Sequence, residues 1–370
     1  MKVILFIGHH KVGSTSLQDF LARNSVALAR AGILYPSVDF EGMSMMLATA
    51  AGRHAPAGGL PINAREPHNA LAFRMLAEHG KGKVPAFHKG LPSRVQMVRS
   101  IHHQIDFLQP EAVILAAEVF ANFAPADPAL IQSLKEIFPP DAEITVIATL
   151  RRIDEYLASW HGQRLKFGHK VAPLSAGGLQ NYFGNIHFDY QLMLEGWLEA
   201  LPEASFVLRD YADVRAGGGS VVDFIAQSGL AFPEGLAPER RTNESLHRGI
   251  YELARRGNEV LPAPQAAIMR QWLRQLTPEL DLPNSSEIEL FGAQNRQEMA
   301  DRFEPIHRFL GEVSGKAPFF PDLEAVRAPQ PVSEAEVARH VLARLRGYEK
   351  EIEFPEVRDF LAALETETVS

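Results

Sequence analysis

The stretch Val3-Ile4-Leu5-Phe6-Ile7-Gly8-His9-His10-Lys11-Val12-Gly13-Ser14-Thr15-Ser16-Leu17-Gln18 constrains this chain more than any other. Five apolar residues, three of them β-branched, read as a buried parallel strand ending at Gly8, and a helical period begins after Gly13. Gly8 and Gly13 have the spacing of a GxxxxG phosphate loop, in which glycines let backbone N–H groups curl around an anion at a helix N-terminus. The cation is displaced. A nucleoside triphosphatase carries GxxxxGK[ST], whereas here Ser14 fills the lysine slot and Lys11 stands two residues before the second glycine. The bland alternative is an apolar strand that turns through glycine into a helix and leaves Lys11 in solvent.

The rest of the chain alternates strands and helices. Leu17, Phe20, Leu21, Leu28 and Ala31 predict one helix ended by Gly32, followed by a short strand at Ile33-Leu34-Tyr35, a first βαβ unit. Residues 37–92 read as an irregular lobe with one helix near Ala70 to Ala77, for which Asn69 is a candidate cap or a substrate contact. Ser93 caps a helix to Leu108, and Ala112 to Ala117 form a fully buried strand running into Glu118, the strand end where open α/β sheets place their chemistry. A helix from Pro128 to Phe138 and a strand from Glu143 to Leu150 follow, then Arg151 and a helix that presents Ser159, Gln163 and Lys166 on one face.

Residues 170–188 are loop-like. A helix from Tyr190 to Leu201 with Trp197 inward, a strand at Ser205 to Leu208 and a helix at Val221 to Gly229 continue the pattern. Residues 260–320 read as helical with proline breaks, and Val326 to Val332 as a proline-bearing linker. Ser333 and Glu336 then form a capping box before an amphipathic helix expected to dock on the core or on a second subunit. These elements predict an α/β fold with a parallel sheet between helices, divided as residues 1–322 and a linker with C-terminal helical extension over 323–370.

Composition narrows the function. A net charge of −8 argues against a nucleic-acid binder dominated by phosphate contacts. With no cysteine, the chain has no disulfide, no thiolate catalysis and no Cys-based metal site. His9 and His10 are adjacent on a tight loop and have no carboxylate at ligand spacing, so no metal is expected. The first apolar run is too short for a leader and no stretch approaches the roughly 20 apolar residues of a membrane span, so a cytoplasmic protein is the simplest expectation.

The displaced arrangement K-x-G-[ST]-[ST]-x-L-Q resembles the phosphosulfate loop of sulfotransferases that use 3′-phosphoadenosine 5′-phosphosulfate (PAPS). Two later stretches strengthen the resemblance to bacterial sulfotransferase-like proteins: Arg151-Arg152-Ile153-Asp154-Glu155-Tyr156-Leu157-Ala158-Ser159 and Arg241-Thr242-Asn243-Glu244-Ser245-Leu246. The resemblance implies a three-layer P-loop-type α/β fold with helical insertions. It also implies that Lys11 contacts the oxygen bridging phosphate and sulfate, that Gly13, Ser14, Thr15 and Ser16 hold the 5′-phosphate, and that Arg151 and Ser159 bind the 3′-phosphate.

The family's distal R-K-G-x-x-G-D-W-K motif is missing, and Arg240 or Arg241 is the candidate substitute or else a solvated loop cation. Glu118 occupies a place comparable to the family's general base, with His9 or His10 next in line; its structural alternative is a pair with Lys11 or Lys166. The implied enzyme transfers a sulfuryl group from PAPS to a hydroxyl acceptor, by analogy a carbohydrate or small hydroxylated metabolite, and a homo-oligomer is left open. The alternatives are a P-loop kinase or other nucleotide-binding protein, and a non-catalytic module that binds PAPS or adenosine 3′,5′-bisphosphate.

Overall fold

The computed structural model describes the chain except residues 54–58, 241–244, 353 and 370, and except the side chains of 349–351 and 367–369. Its organising element is an all-parallel sheet of five strands, β1 (Lys2–Phe6), β2 (Ile33–Leu34), β3 (Ala112–Ala116), β4 (Glu143–Leu150) and β5 (Ser205–Asp210), in the order β2-β3-β1-β4-β5, flanked by many helices. β1 is central and pairs with both β3 and β4, so Phe6 lies level with Ala116 and with Ile147. All five residues of β3 are buried, which explains its unbroken apolar sequence: a parallel strand with both faces covered has no polar side to show. β3 lies between β1 and β2, so the first two strands are separated by a strand drawn from much later in the chain.

The chain folds into two compact units. Unit 1 comprises Met1–Arg152, Asp189–Asn243 and Ile306–Phe320, and unit 2 comprises Ile153–Phe188, Glu244–Pro305 and Pro321–Ser370. Unit 1 holds the sheet. Its core gathers Phe6, Leu17, Phe20, Leu21, Ile114 and Phe224, with the ring of Phe6 set edge-on to Phe224 at 6.1 Å. Each large apolar side chain so buried contributes about 1.5–3 kcal/mol.

Several local expectations are corrected. The single helix expected after the loop is two, Ser14–Arg23 and Ser25–Arg30, broken at Asn24. Asn24 donates to the carbonyls of Phe20 and Ala237 and accepts from the Ala237 N–H, so a segment 213 residues away fixes the break. The lobe expected to be irregular holds three helices, Phe40–Ala50, Ile62–Arg65 and Pro67–Glu78. Asn69 is no cap: it sits inside the last of these and donates to Glu66 at 3.2 Å. The expected helix from Pro128 to Phe138 is confined to Ala129–Lys135.

Unit 2 is built from helices, chiefly Ile153–Lys166, Tyr251–Val260, Ala263–Leu276 and Glu334–Leu345. Val326 to Val332 is not a loose linker. Val326 is fully buried, and β7 (Val332–Ser333) pairs in parallel with β6 (Ile288–Glu289). The capping box at Ser333 is present, and the helix it opens buries Val337, Val341 and Leu345 within unit 2. Among the described residues, no helix is long and apolar enough to cross a membrane.

Candidate functional site

The loop after β1 turns inside unit 1. The ladder continues past the strand, because Ile7 N–H donates to Ile147 and His9 N–H to Thr149, which carries the loop to the same sheet end as the last residues of β4. The connection from β1 leads toward β2 and that from β4 toward β5, and such a reversal opens a crevice at the C-terminal strand ends. Lys11 has φ of 64° and Gly13 of 83°, both left-handed. Few non-glycine residues adopt that conformation, so the curl of the loop is imposed by its surroundings. At Gly13 a side chain is excluded twice over, by the backbone and by the Ser220 hydroxyl against which a Cβ would press. That hydroxyl donates to the Val12 carbonyl at 2.8 Å and ties the loop to the helix Ser220–Ser228.

Gly13 is also the N-cap of helix Ser14–Arg23. No side chain caps the helix and no acidic residue lies in its first turn, so its positive end faces the loop. Ser14 is buried, Thr15 and Ser16 are half-buried, and the Ser16 hydroxyl reaches the Arg240 carbonyl at 3.4 Å. His9 is fully buried and its Nδ1 accepts from the His10 N–H at 2.9 Å, which places its ring proton on Nε2. His10 is pulled down to about 4 by burial and by the Lys11 ammonium. Among the described residues, no group of His, Cys, Asp and Glu could hold a metal ion.

Glu118 follows β3 at the same sheet end, since Ala117 N–H continues the ladder to Phe6. Its carboxylate is held by an amide rather than by a lysine: Gln18 Nε2 donates to Glu118 Oε2 at 3.0 Å and to the Ala116 carbonyl at 3.1 Å. Gln18 is fully buried, and its amide oxygen has no partner. No role for Gln18 follows from its place in the motif, but its helical position does carry a signal. One turn after Ser14, a polar residue between Leu17 and the core positions Phe20 and Leu21 has to find a buried partner.

Behind Glu118 lies a set of buried polar groups. Glu66 is raised by burial and by the Glu118 charge, against the pull of Arg65, and Tyr35 is pushed well up by burial and then by Glu66, Glu118 and Asp19. His68 joins the sheet to the segment after β2, with Nε2 3.0 Å from the Pro36 carbonyl and Nδ1 accepting from the Ala116 N–H at 3.1 Å. Burial holds it down at about 3. A cavity of about 450 Å³ opens elsewhere, beside the C-terminal end of helix Ser14–Arg23, where Ala22, Arg23, Tyr35 and Met45 line it.

Arg151 ends β4 in unit 1. Its carbonyl accepts from the Tyr190 hydroxyl at 2.7 Å and its guanidinium lies 5.3 Å from the Tyr211 ring centroid. Ser159 lies on helix Ile153–Lys166 of unit 2 and is half-buried. Arg241 lies outside the described residues. Unit 1 therefore brings together Lys11, Gly13, Ser14, Thr15, Ser16, Glu118 and Arg151 at one end of one sheet.

No family model matches the chain, and no solved structure does. The chain is similar to an uncharacterized protein of Archaeoglobus fulgidus, 30% identical over 117 residues. That stretch is 31% of this chain and 31% of the relative, so the chain matches about a third of the relative's length.

Proposed function

We propose that this protein is a sulfotransferase that moves a sulfuryl group from PAPS to an acceptor hydroxyl, on a three-layer P-loop-type domain. The observation that carries the reading is the loop itself: a left-handed Lys11 ahead of a left-handed Gly13, an uncapped helix N-terminus, and hydroxyl residues where a triphosphatase would have its lysine. Backbone N–H groups and the hydroxyls of Ser14, Thr15 and Ser16 would hold the 5′-phosphate. The acceptor oxygen forms a bond to sulfur as the bond from sulfur to the bridging oxygen breaks, and Lys11 stabilises the charge on the departing oxygen. Glu118, oriented by Gln18, takes the acceptor proton. Arg151 and Ser159 are assigned to the 3′-phosphate by motif resemblance, and a carbohydrate or other small hydroxylated acceptor by analogy.

Thermal shift separates this reading from its rivals. Adenosine 3′,5′-bisphosphate should raise the melting temperature while ATP with magnesium does not; the reverse result would make the protein a kinase-like nucleotide binder. With labelled PAPS and a screen of hydroxyl acceptors, Lys11→Ala should lower turnover roughly 100-fold and leave most nucleotide affinity in place. Bisphosphate binding without turnover on any acceptor would favour the non-catalytic module.

A further inference from the structure

Unit 2 contains a cavity of about 190 Å³ lined by its own residues. It lies along helix Ile153–Lys166 and the turns that follow it. One wall is aromatic: the Trp160 ring stacks on His187 at 4.2 Å with an interplanar angle of 22°. His187 is itself fixed, with Nδ1 2.8 Å from the Tyr156 hydroxyl and its N–H donating to Asn185 at 2.9 Å. Phe167 stands at the rim and is 62% exposed.

The cavity also holds a half-buried cation that pairs with no carboxylate among the described residues. Arg164 makes one side-chain hydrogen bond, from Nη1 to the Tyr182 hydroxyl at 3.4 Å, and its guanidinium leans over the Tyr182 ring at 5.8 Å. No Asp or Glu lines the cavity. His169 is lowered by burial and by Arg164, and His161, beside the Tyr182 hydroxyl, is lowered to about 4 by burial and then by Arg164. A guanidinium has five N–H donors in a planar fork that matches a carboxylate, and here most of them face no protein acceptor.

We infer that this cavity binds a single six-membered ring bearing a carboxylate, with the ring against the Trp160 and Phe167 side chains and the carboxylate on the Arg164 fork. A cavity of this volume is smaller than the roughly 300–1,000 Å³ of drug-sized sites and fits one ring. His187, which backs the Trp160 ring, is held by its own hydrogen bonds, so that wall needs little ordering on binding. The inference does not depend on the sulfotransferase reading.

Saturation-transfer NMR titrations of the full chain test it with two acids that separate the sources of such a ring, 4-hydroxybenzoate for an aryl acid and glucuronate for a sugar acid. Their uncharged counterparts, 4-hydroxybenzamide and glucose, serve as controls. At least one acid should bind and its neutral counterpart at least tenfold more weakly. Arg164→Gln should weaken the acid about tenfold or more, in keeping with a charge-assisted bidentate contact, and Phe167→Ala should weaken acid and neutral probe alike by a few fold. Binding of neither acid, equal binding of acid and neutral probe, or indifference to Arg164→Gln would overturn the site. Thermal shift with adenosine 3′,5′-bisphosphate on the same variants keeps the two readings apart, because loss of the acid site should leave the nucleotide response unchanged.

Discussion

Among the described residues, the most deeply buried polar side chains of the two units differ in charge. In unit 1 they include neutral side chains that bond to backbone, beside the buried ion pair of Arg23 with Asp19: His68 spans Pro36 and Ala116, Gln104 holds Ser37 through both its N–H and its carbonyl, and Asn24 clips Ala237. In unit 2 the most buried one is a cation. Arg296, 1% exposed, binds Glu289 at 2.7 Å, approaches Asp154 at 3.5 Å, donates to the Val326 carbonyl at 3.0 Å and lies 5.1 Å from the Phe291 ring centroid. Burial pulls the Glu289 carboxyl up, but N–H groups of Gln330, Phe291 and Gly292 and the Arg296 hydrogen bond outweigh it and hold it below the usual range. Neutral backbone clips fix segment positions without a large desolvation cost. An ionic centre tolerates the loss of any one partner poorly, because the charges left behind have no water to turn to.

The largest effect should therefore come from unit 2. Arg296→Met removes the buried cation that binds Glu289 and approaches Asp154, and should cost about 3–5 kcal/mol in urea unfolding. A loss below about 1 kcal/mol would break the contrast between the units. Next comes acid. The unfolded His68 imidazole takes its proton near 6.5 and the folded one not until about 3, so its contribution is complete above pH 6.5 and is lost as pH falls through that window. His68→Gln can keep both hydrogen bonds and cannot titrate. It should flatten the stability-versus-pH curve between pH 6.5 and pH 4 by an amount on the order of 2 kcal/mol. An unchanged slope would place the acid sensitivity elsewhere in the molecule.

A smaller effect is expected at Gln18. Gln18→Leu removes both hydrogen bonds and should cost about 1–3 kcal/mol. If Glu118 is the base, turnover should also fall about tenfold with little change in the KM for PAPS. Stability lost with turnover intact would make Gln18 a structural residue only. The smallest effect tests unit 2 from the opposite side. Burial and then Glu252 raise the Glu334 carboxyl to about 8, so its cost is absent below the unfolded value of 4.5 and grows as pH rises toward 8. Glu334→Gln should stabilise the protein by about 1 kcal/mol at pH 8, after allowance for its contact with solvent, and by nothing at pH 4.5. A gain of equal size at both values would point to packing rather than charge.

Elements defined by local pattern were legible in the sequence. β3 follows from its unbroken apolar run and β4 from its β-propensity, the helix after Ser93 from its capping serine and the helix after Ser333 from its capping box. The left-handed turn at Gly13 was legible as a glycine, whereas that at Lys11 was not. Helix Phe40–Ala50 was hidden because its apolar residues do not mark one buried face: Phe40 is 86% and Leu47 72% exposed. The β6–β7 pair was hidden because each strand has two residues, too short for any period, and they meet from positions 44 residues apart.

The sequence by itself determined where backbone can curl and which runs must be buried, because those depend on side-chain branching, glycine and residue spacing within a few neighbours. That placed Lys11 on the glycine-bearing loop after β1 and Glu118 and Arg151 at strand ends. Only the tertiary structure decided that β3 sits beside β1, that Gln18 rather than a lysine holds Glu118, and that Arg296 gathers Asp154, Glu289 and Val326. The physical reason is separation along the chain. A buried amide or guanidinium must find partners, but which of many acceptors it meets is set by the packing of segments 100 residues or more apart, as for Gln18 and Glu118, and no local pattern records that choice.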